Sequence, residues 1–175
     1  MASICATPCC VWRKRTYRPQ WSAGVLEELE RNLVEEAGLA SEAVQRRIGA
    51  MQRAFPGAEV RGYEALIESM TCDAKDQHVL AAAVRGQSEV LVTFNGDDFP
   101  EHSTAPYDIE VISTDDFLLD QLDLYPGVTM AVLRRQASDY VAPPMTVEQL
   151  LGALAIAGVP KFAAEVQRHQ PQHGD

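Results

Sequence analysis

Nothing in this sequence can cross a bilayer as a helix, because no apolar run approaches the ~18 residues that a span needs. No basic stretch precedes the uncharged first ten residues, which hold Pro8 and a Cys pair, so a cleaved export signal is not expected. The expected location is therefore the cytoplasm. The cysteines Cys5, Cys9, Cys10 and Cys72 lack CxxC spacing and a neighbouring His pair, which argues against zinc and for reduced thiols. Internal repeats are missing. So is a D-x-D nucleophile motif behind a first strand, which places a phosphatase low among the possibilities. Positive charge is scarce: 15 Lys and Arg stand against 25 Asp and Glu, a formal net charge of −10. Such a chain repels nucleic acid at long range, unless clustered carboxylates hold a divalent cation that meets the phosphate, or a basic partner supplies the charge. No acidic residue at all occurs before Glu27.

What is present is a globular chain, 46% hydrophobic over 175 residues, enough for one domain with a small appendage. Residues 17–21 read as a short extended piece. Ser22 then caps a helix to about Glu36, with Val25, Leu26, Leu29 and Leu33 as its apolar stripe. Ser41 caps a second helix that Pro56-Gly57 ends, and residues 58–61 form a weak strand. Asp73 caps a helix to about Arg85, with Gly86 as its stop. EVLVTF (89–94) and IEVIS (109–113) read as buried parallel strands, and Thr114 opens the helix that follows, closed before Pro126. Alternating strands and helices mean an α/β fold with a parallel sheet. A composition break at Val141-Ala142-Pro143-Pro144 separates a helical hairpin. In it, Thr146 and Gln149 fit a capping box, Leu150, Leu151 and Leu154 form the apolar face, and Gly158-Val159-Pro160 makes the turn.

Three places can carry chemistry. Asp76 stands three, four, seven and eight residues before Val79, Leu80, Ala83 and Val84, in the middle of the buried stripe of its helix. A buried carboxylate needs a metal, a basic partner or the helix N-terminus to compensate it. The loop Thr93-Phe94-Asn95-Gly96-Asp97-Asp98 leaves the carboxyl end of a strand, where open parallel sheets place ligands, and it offers hard oxygen donors; it is also ordinary turn chemistry. In the first helix Glu27 faces outward, whereas Glu28 and Glu30 flank the stripe on opposite edges, and amphipathicity does not choose between them. His78 is close to Asp76 in sequence but points away on the helix wheel, and is read as a surface histidine. The basic run Arg13, Lys14, Arg15 and Arg18, with Trp12 and Tyr17 interleaved, could touch an RNA backbone or simply be solvated.

The segments WSAGVLEELERNL (21–33), DAKDQHVLAAAV (73–84), VTFNGDDFP (92–100) and PYDIEVISTDDFL (106–118), in that order and at normal spacing, resemble the VapC-like group of PIN-domain proteins. PPMTVEQLLGALAIAGVPKFAAEV (143–166) is similar to the C-terminal extension of one branch of these toxins. The resemblance covers about 17–168. It implies a twisted parallel sheet flanked by helices, with the C-terminal helical hairpin added. It also implies a metal-dependent endoribonuclease, the toxin of a toxin–antitoxin pair, whose acidic residues hold Mg²⁺ or Mn²⁺ against RNA. Matched position by position, the family's catalytic and metal-binding carboxylates fall on Glu28, Asp76 and Asp98. Thr93 and Asn95 are supporting polar residues, and Asp73 and Asp97 are neighbouring candidates. The implied partners are the RNA substrate, a cognate antitoxin and, since the family commonly dimerises, a second copy of the chain.

The sequence departs from the family at its start. The family's first, central strand carries an Asp in a D-[TA]-[NC]-V-L pattern, and nothing like it stands here. The expected organisation is therefore an atypical segment over 1–16, a PIN-like domain over 17–142 without its first strand, the extension over 143–169 and a disordered tail over 170–175. Ala2–Ala6 is a poor substitute strand. The Cys/Arg/Pro-rich composition suggests an out-of-frame or misassigned start, so upstream genomic sequence in another frame is expected to encode an apolar strand with the missing Asp. The second functional reading is a nuclease-dead remnant that binds antitoxin or RNA without cutting.

Overall fold

A computed structural model describes residues 17–141 and 143–169 of the chain. The expectations for the substitute strand, for the basic residues 13–15 and for the tail lie outside these residues.

Helix α1 (Ala23–Glu35) starts where expected, with the Ser22 side chain accepting from the Val25 N–H at 3.2 Å. It packs against α2 (Ser41–Ala54) around Trp21, Leu26, Met51 and Ala58. The cap of α2 is a correction: Ala40 holds that position and Ser41 is the first helical residue. The extended piece before α1 and the weak strand at 58–61 shrink to a single parallel bridge, Trp21 with Glu59, secured by Trp21 N–H to Ala58 O and Val60 N–H to Trp21 O. A 3-10 segment, Glu64–Ser69, then leads to α3 (Gln77–Arg85).

Strands β1 (Val90–Thr93) and β2 (Glu110–Ser113) pair in parallel, Val90 opposite Glu110 through Thr93 opposite Ser113. Among the described residues they make the sheet of this α/β fold. Leu91 points into a core with Leu80, Ala81, Ala82, Phe99 and Ile109. The expectation of a strand buried on both faces does not hold: Val90, Val92 and Phe94 are 40%, 39% and 44% exposed, because α3 covers one side of β1. Side chains alternate across a strand, so only every second residue reaches that core. The link between the strands holds a 3-10 turn (Gly96–Asp98), the short α4 (Glu101–Thr104) and a second 3-10 turn.

The C-terminal part is helical: α5 (Thr114–Leu124), α6 (Pro126–Asp139), α7 (Val147–Ile156) and α8 (Pro160–His169). Thr114 opens α5 as expected, and Ser113 caps it, its hydroxyl accepting from the Asp116 N–H. Helix α6 was not expected at all. Pro126 reads as a terminator, yet it occupies the first turn of a new helix, where the missing N–H costs nothing. The capping box of α7 is present on both sides, Thr146 with Gln149. The hairpin does not stand apart: Leu118, Leu122, Val132 and Leu133 of α5 and α6 share one buried cluster with Leu150, Leu151, Phe162 and Val166. That cluster spans both sides of the composition break at Val141–Pro144.

Two contacts tie the hairpin to α5 and to the end of β1. Buried Asp115 caps α8 from a distance, its carboxylate accepting the N–H groups of Lys161 and Phe162 at 3.0 and 2.8 Å. Next to it, Asp116 bonds the Ser113 hydroxyl and the Lys161 ammonium. The α7–α8 turn also abuts the end of β1. Gly158, at φ +105°, lies so close to Phe94 that an added Cβ would meet the ring at 3.1 Å.

Asp115→Ala leaves two N–H groups at the start of α8 unpaired. It is expected to lower unfolding stability by about 2 kcal/mol, read as the urea midpoint. Asp116 behaves differently, because its hydrogen bond from Ser113 and the Lys161 charge hold its carboxyl below the usual range. Its contribution is present above the ordinary carboxylate pKa and lost as pH falls through the depressed folded-state value. The small stability gap between the native protein and Asp116→Ala is therefore expected to close in acid, as measured by thermal melts from neutral pH downward.

Candidate metal centre

Two loops meet at the carboxyl end of β1. The first precedes α3, where Asp73 organises a turn: its carbonyl accepts from the Asp76 N–H at 2.9 Å, and its carboxylate from the Lys75 N–H at 3.1 Å. The helix therefore starts later than expected, at Gln77, and Asp73 caps the turn instead of the helix. Asp76 is correspondingly not inside the helical stripe but at its N-cap position, with φ −106° and ψ 0°. The burial argument survives this shift. The side chain is 20% exposed, and Oδ2 is buried without a hydrogen-bond partner. The carboxylate also makes no capping bond to the helix, so the N-terminal N–H groups do not satisfy it.

The second loop follows β1. Thr93 Oγ1 accepts from the Asn95 N–H at 3.1 Å, which turns the chain out of the strand, and Asn95 Nδ2 donates to Asp98 Oδ2. Asp98 is 17% exposed at its side chain, and Asp97 in the same turn is exposed. A backbone hydrogen bond of 3.1 Å from Asp73 N–H to Asp98 O joins the two loops. Asp76 and Asp98 consequently converge, and the Lys75 ammonium lies 3.7 Å from Asp76 Oδ2 and 3.1 Å from Asp98 Oδ2.

Electrostatics follow from this packing. Burial pushes the Asp76 carboxyl above its ordinary pKa, and the negative charge of Asp98 pushes it further, against the pull of Lys75. The hydrogen bond to Asp98 raises the Lys75 ammonium. Beneath them Cys72 is a free, buried thiol raised first by desolvation and then by the charges of Asp76, Asp73 and Asp98. It serves as a small hydrophobic floor.

Glu28 and Glu30, which the sequence left equivalent, are separated by their neighbours. Glu30 Oε1 accepts from Gln45 of α2. Glu28 faces α3, with Oε2 3.6 Å from His78 Nε2 and Oε1 3.9 Å from Arg31. His78 is thus not a surface histidine: its side chain is 19% exposed, wedged between Glu28 and the Lys75 carbonyl, which lies 3.0 Å from Nδ1. It packs over Gly24, where an added Cβ would sit 3.2 Å from the ring. The wheel misses this because it shows only the residues of α3, whereas the cover over His78 comes from Gly24 and Glu28 of α1.

Asp76 and Asp98, with Asp73 beside them, form a hard oxygen set of the kind Mg²⁺ or Mn²⁺ accepts, and the orphaned Asp76 oxygen is a donor in need of a cation. Glu28 is not gathered with them. Among the described residues, no three Asp, Glu, His or Cys side chains are close enough to hold a metal ion by themselves. Lys75 and His78 were missed as parts of this arrangement. Their only signal in the sequence was their place beside Asp76. A shallow cleft of about 400 Å³ between residues 17–20 and 53–58, with Arg18 and Arg53 in its wall, shares no residue with the carboxylates.

Residues 5–97, over half of the chain, match the family described as PIN domain. That match reaches further toward the N-terminus than the likeness read from motifs. Residues 114–168 match the family described as VapC50 C-terminal domain, which begins with α5. The chain is 49% identical over 110 residues to "Putative ribonuclease VapC50" of Mycobacterium tuberculosis (strain ATCC 25618 / H37Rv). The likeness covers 63% of this chain and 64% of that protein, so the chain spans less than two thirds of the length of this relative. No solved structure matches.

Without a divalent cation, the Asp76 oxygen that lacks a hydrogen bond destabilises the fold, the Lys75 charge offsetting only part of the cost. Because its folded pKa is raised, the charged form costs stability above that pKa, and the penalty disappears as pH falls through it. Asp76→Asn is therefore expected to stabilise the protein in EDTA at neutral pH by about 1 kcal/mol, the scale of one unsatisfied buried oxygen. Calorimetric melts should show that gain shrinking in acid.

Proposed function

The chain belongs to the PIN-domain family, and from that premise we propose that it is a divalent-metal-dependent endoribonuclease that hydrolyses RNA phosphodiester bonds, the toxin of a toxin–antitoxin pair. The observation that carries this reading is the convergence of Asp76 and Asp98 at the end of β1, with a buried Asp76 oxygen that has no hydrogen bond. The name of the mycobacterial relative, a ribonuclease, supports RNA as the substrate. The extension matched over 114–168 supports the same branch of the family.

Asp76 and Asp98 would hold Mg²⁺ or Mn²⁺, with Asp73 as a further oxygen donor and Asp97 as an outer neighbour. When bound, such an ion supplies positive charge against the phosphate and acidifies the attacking water. The protein's own residues prepare for it. Asn95 orients the Asp98 carboxylate, and Thr93 fixes the turn that presents Asn95. Burial of Asp76 keeps bulk water from competing for its inner oxygen. Glu28, held by His78 and Arg31, is the proposed third catalytic carboxylate, suited to orienting a water or completing the ligand set as RNA arrives. A surface with a net charge of −10 would accept an anionic polymer poorly by itself, which favours a cation-filled site and a cognate antitoxin that brings basic groups.

Cleavage of a labelled RNA pool in Mn²⁺ is expected, abolished by EDTA and reduced at least about 100-fold in Asp76→Ala and in Asp98→Ala, since metal-ion catalysis contributes several kcal/mol. Glu28→Gln is expected to lower kcat with the fold intact. No cleavage by the folded native chain would instead assign it to binding antitoxin or RNA without cutting.

A further inference from the structure

Lys75 sits where a cation site would least tolerate a positive charge. Its ammonium stands at the convergence of the two carboxylates, 3.1 Å from Asp98 Oδ2 and 3.7 Å from Asp76 Oδ2. The backbone puts it there: Asp73 takes the Lys75 N–H, and His78 packs on the Lys75 carbonyl. The partners differ in freedom. The Lys75 side chain is 63% exposed, against 20% for Asp76 and 17% for Asp98. Asp98 is further held by Asn95, and Asp76 by the turn that starts α3. An exposed ammonium on a long flexible stem loses little by leaving such a pair. The two sheltered carboxylates cannot follow it, and a divalent ion brought to the same oxygens repels it.

We propose that Lys75 is a built-in competitor for the divalent cation, an ammonium that bridges Asp76 and Asp98 in the metal-free protein and swings out when the ion binds. It keeps two crowded carboxylates tolerable before metal arrives, and it sets how much cation is needed to load the site. The inference rests on the reading of Asp76 and Asp98 as cation ligands.

The test is a calorimetric Mn²⁺ titration of the full chain without RNA, comparing the native protein with Lys75→Gln, Lys75→Arg and Asp76→Asn. Lys75→Gln is expected to bind Mn²⁺ about three- to tenfold more tightly than the native chain, the scale of one lost competing ion pair. Lys75→Arg keeps the charge and should stay near the native affinity, while Asp76→Asn should lose binding. Equal or weaker binding by Lys75→Gln, with Asp76→Asn still defective, would overturn the role of Lys75 and leave the cation site standing. Failure of the native chain and Lys75→Gln alike to bind Mn²⁺ would overturn both.

Discussion

A single backbone hydrogen bond, from Asp73 N–H to the carbonyl of Asp98, joins two loops that are far apart in the chain. Everything chemical in the molecule depends on that join. One loop ends on the first residues of α3 and the other on the end of β1, so the bond brings a helix N-terminus and a strand C-terminus to one point. Parallel sheets place such points at their carboxyl edge. The core below, with Leu80, Leu91 and Phe99, keeps both loops from drifting, and Cys72 fills the space directly under the carboxylates. The fold thus builds a rigid floor and leaves acid groups on it with too few hydrogen-bond donors. That deficit, the buried Asp76 oxygen without a hydrogen bond, is the observation on which the proposed cation site rests.

The carboxylates do not all stand in the same relation to that floor. Asp76 and Asp98 are fixed by short-range bonds in their own loops, whereas Glu28 arrives on a separate helix and is tethered through His78. The contact between α1 and α3 therefore decides whether the third carboxylate can join the pair. Gly24 permits that contact, since any side chain there would press on the His78 ring. A helix-to-helix approach, not loop geometry, positions Glu28.

Much of this was legible in the sequence. Ser22 and the capping box placed α1 and α7 correctly, because a side chain that caps a helix does so through local bonds that spacing reveals. Asp76 and Asp98 stood out for different reasons, the first as a charge where apolar residues belong, the second as one of several oxygen donors in the loop at a strand's carboxyl end, from which the resemblance selected it. What was not legible depends on competition between similar local choices. Asp73 could cap a helix or a turn, and the turn won, so α3 starts only at Gln77; the cover that α1 lays over His78 is outside the pattern of any single helix. Pro126 could end one helix or begin the next, and tertiary burial of Met130, Val132 and Leu133 decided for the second. The exposed alternation of Val90 and Val92 escaped because composition reports how apolar a strand is, not how many of its faces are covered. Lys75 could not be found at all from pattern, since its role lies in where its stem can reach.

The abutment of Gly158 on Phe94 has an evolutionary consequence. The ring belongs to the strand end that carries Thr93 and Asn95, and the glycine belongs to the turn of the C-terminal hairpin. Any side chain at 158 must be admitted by a smaller residue at 94, and the left-handed backbone at 158 resists most of them. A substitution at either position is therefore constrained by the other. Through this contact the hairpin turn and the strand end that carries Thr93 are fitted to each other as matched halves rather than as movable modules.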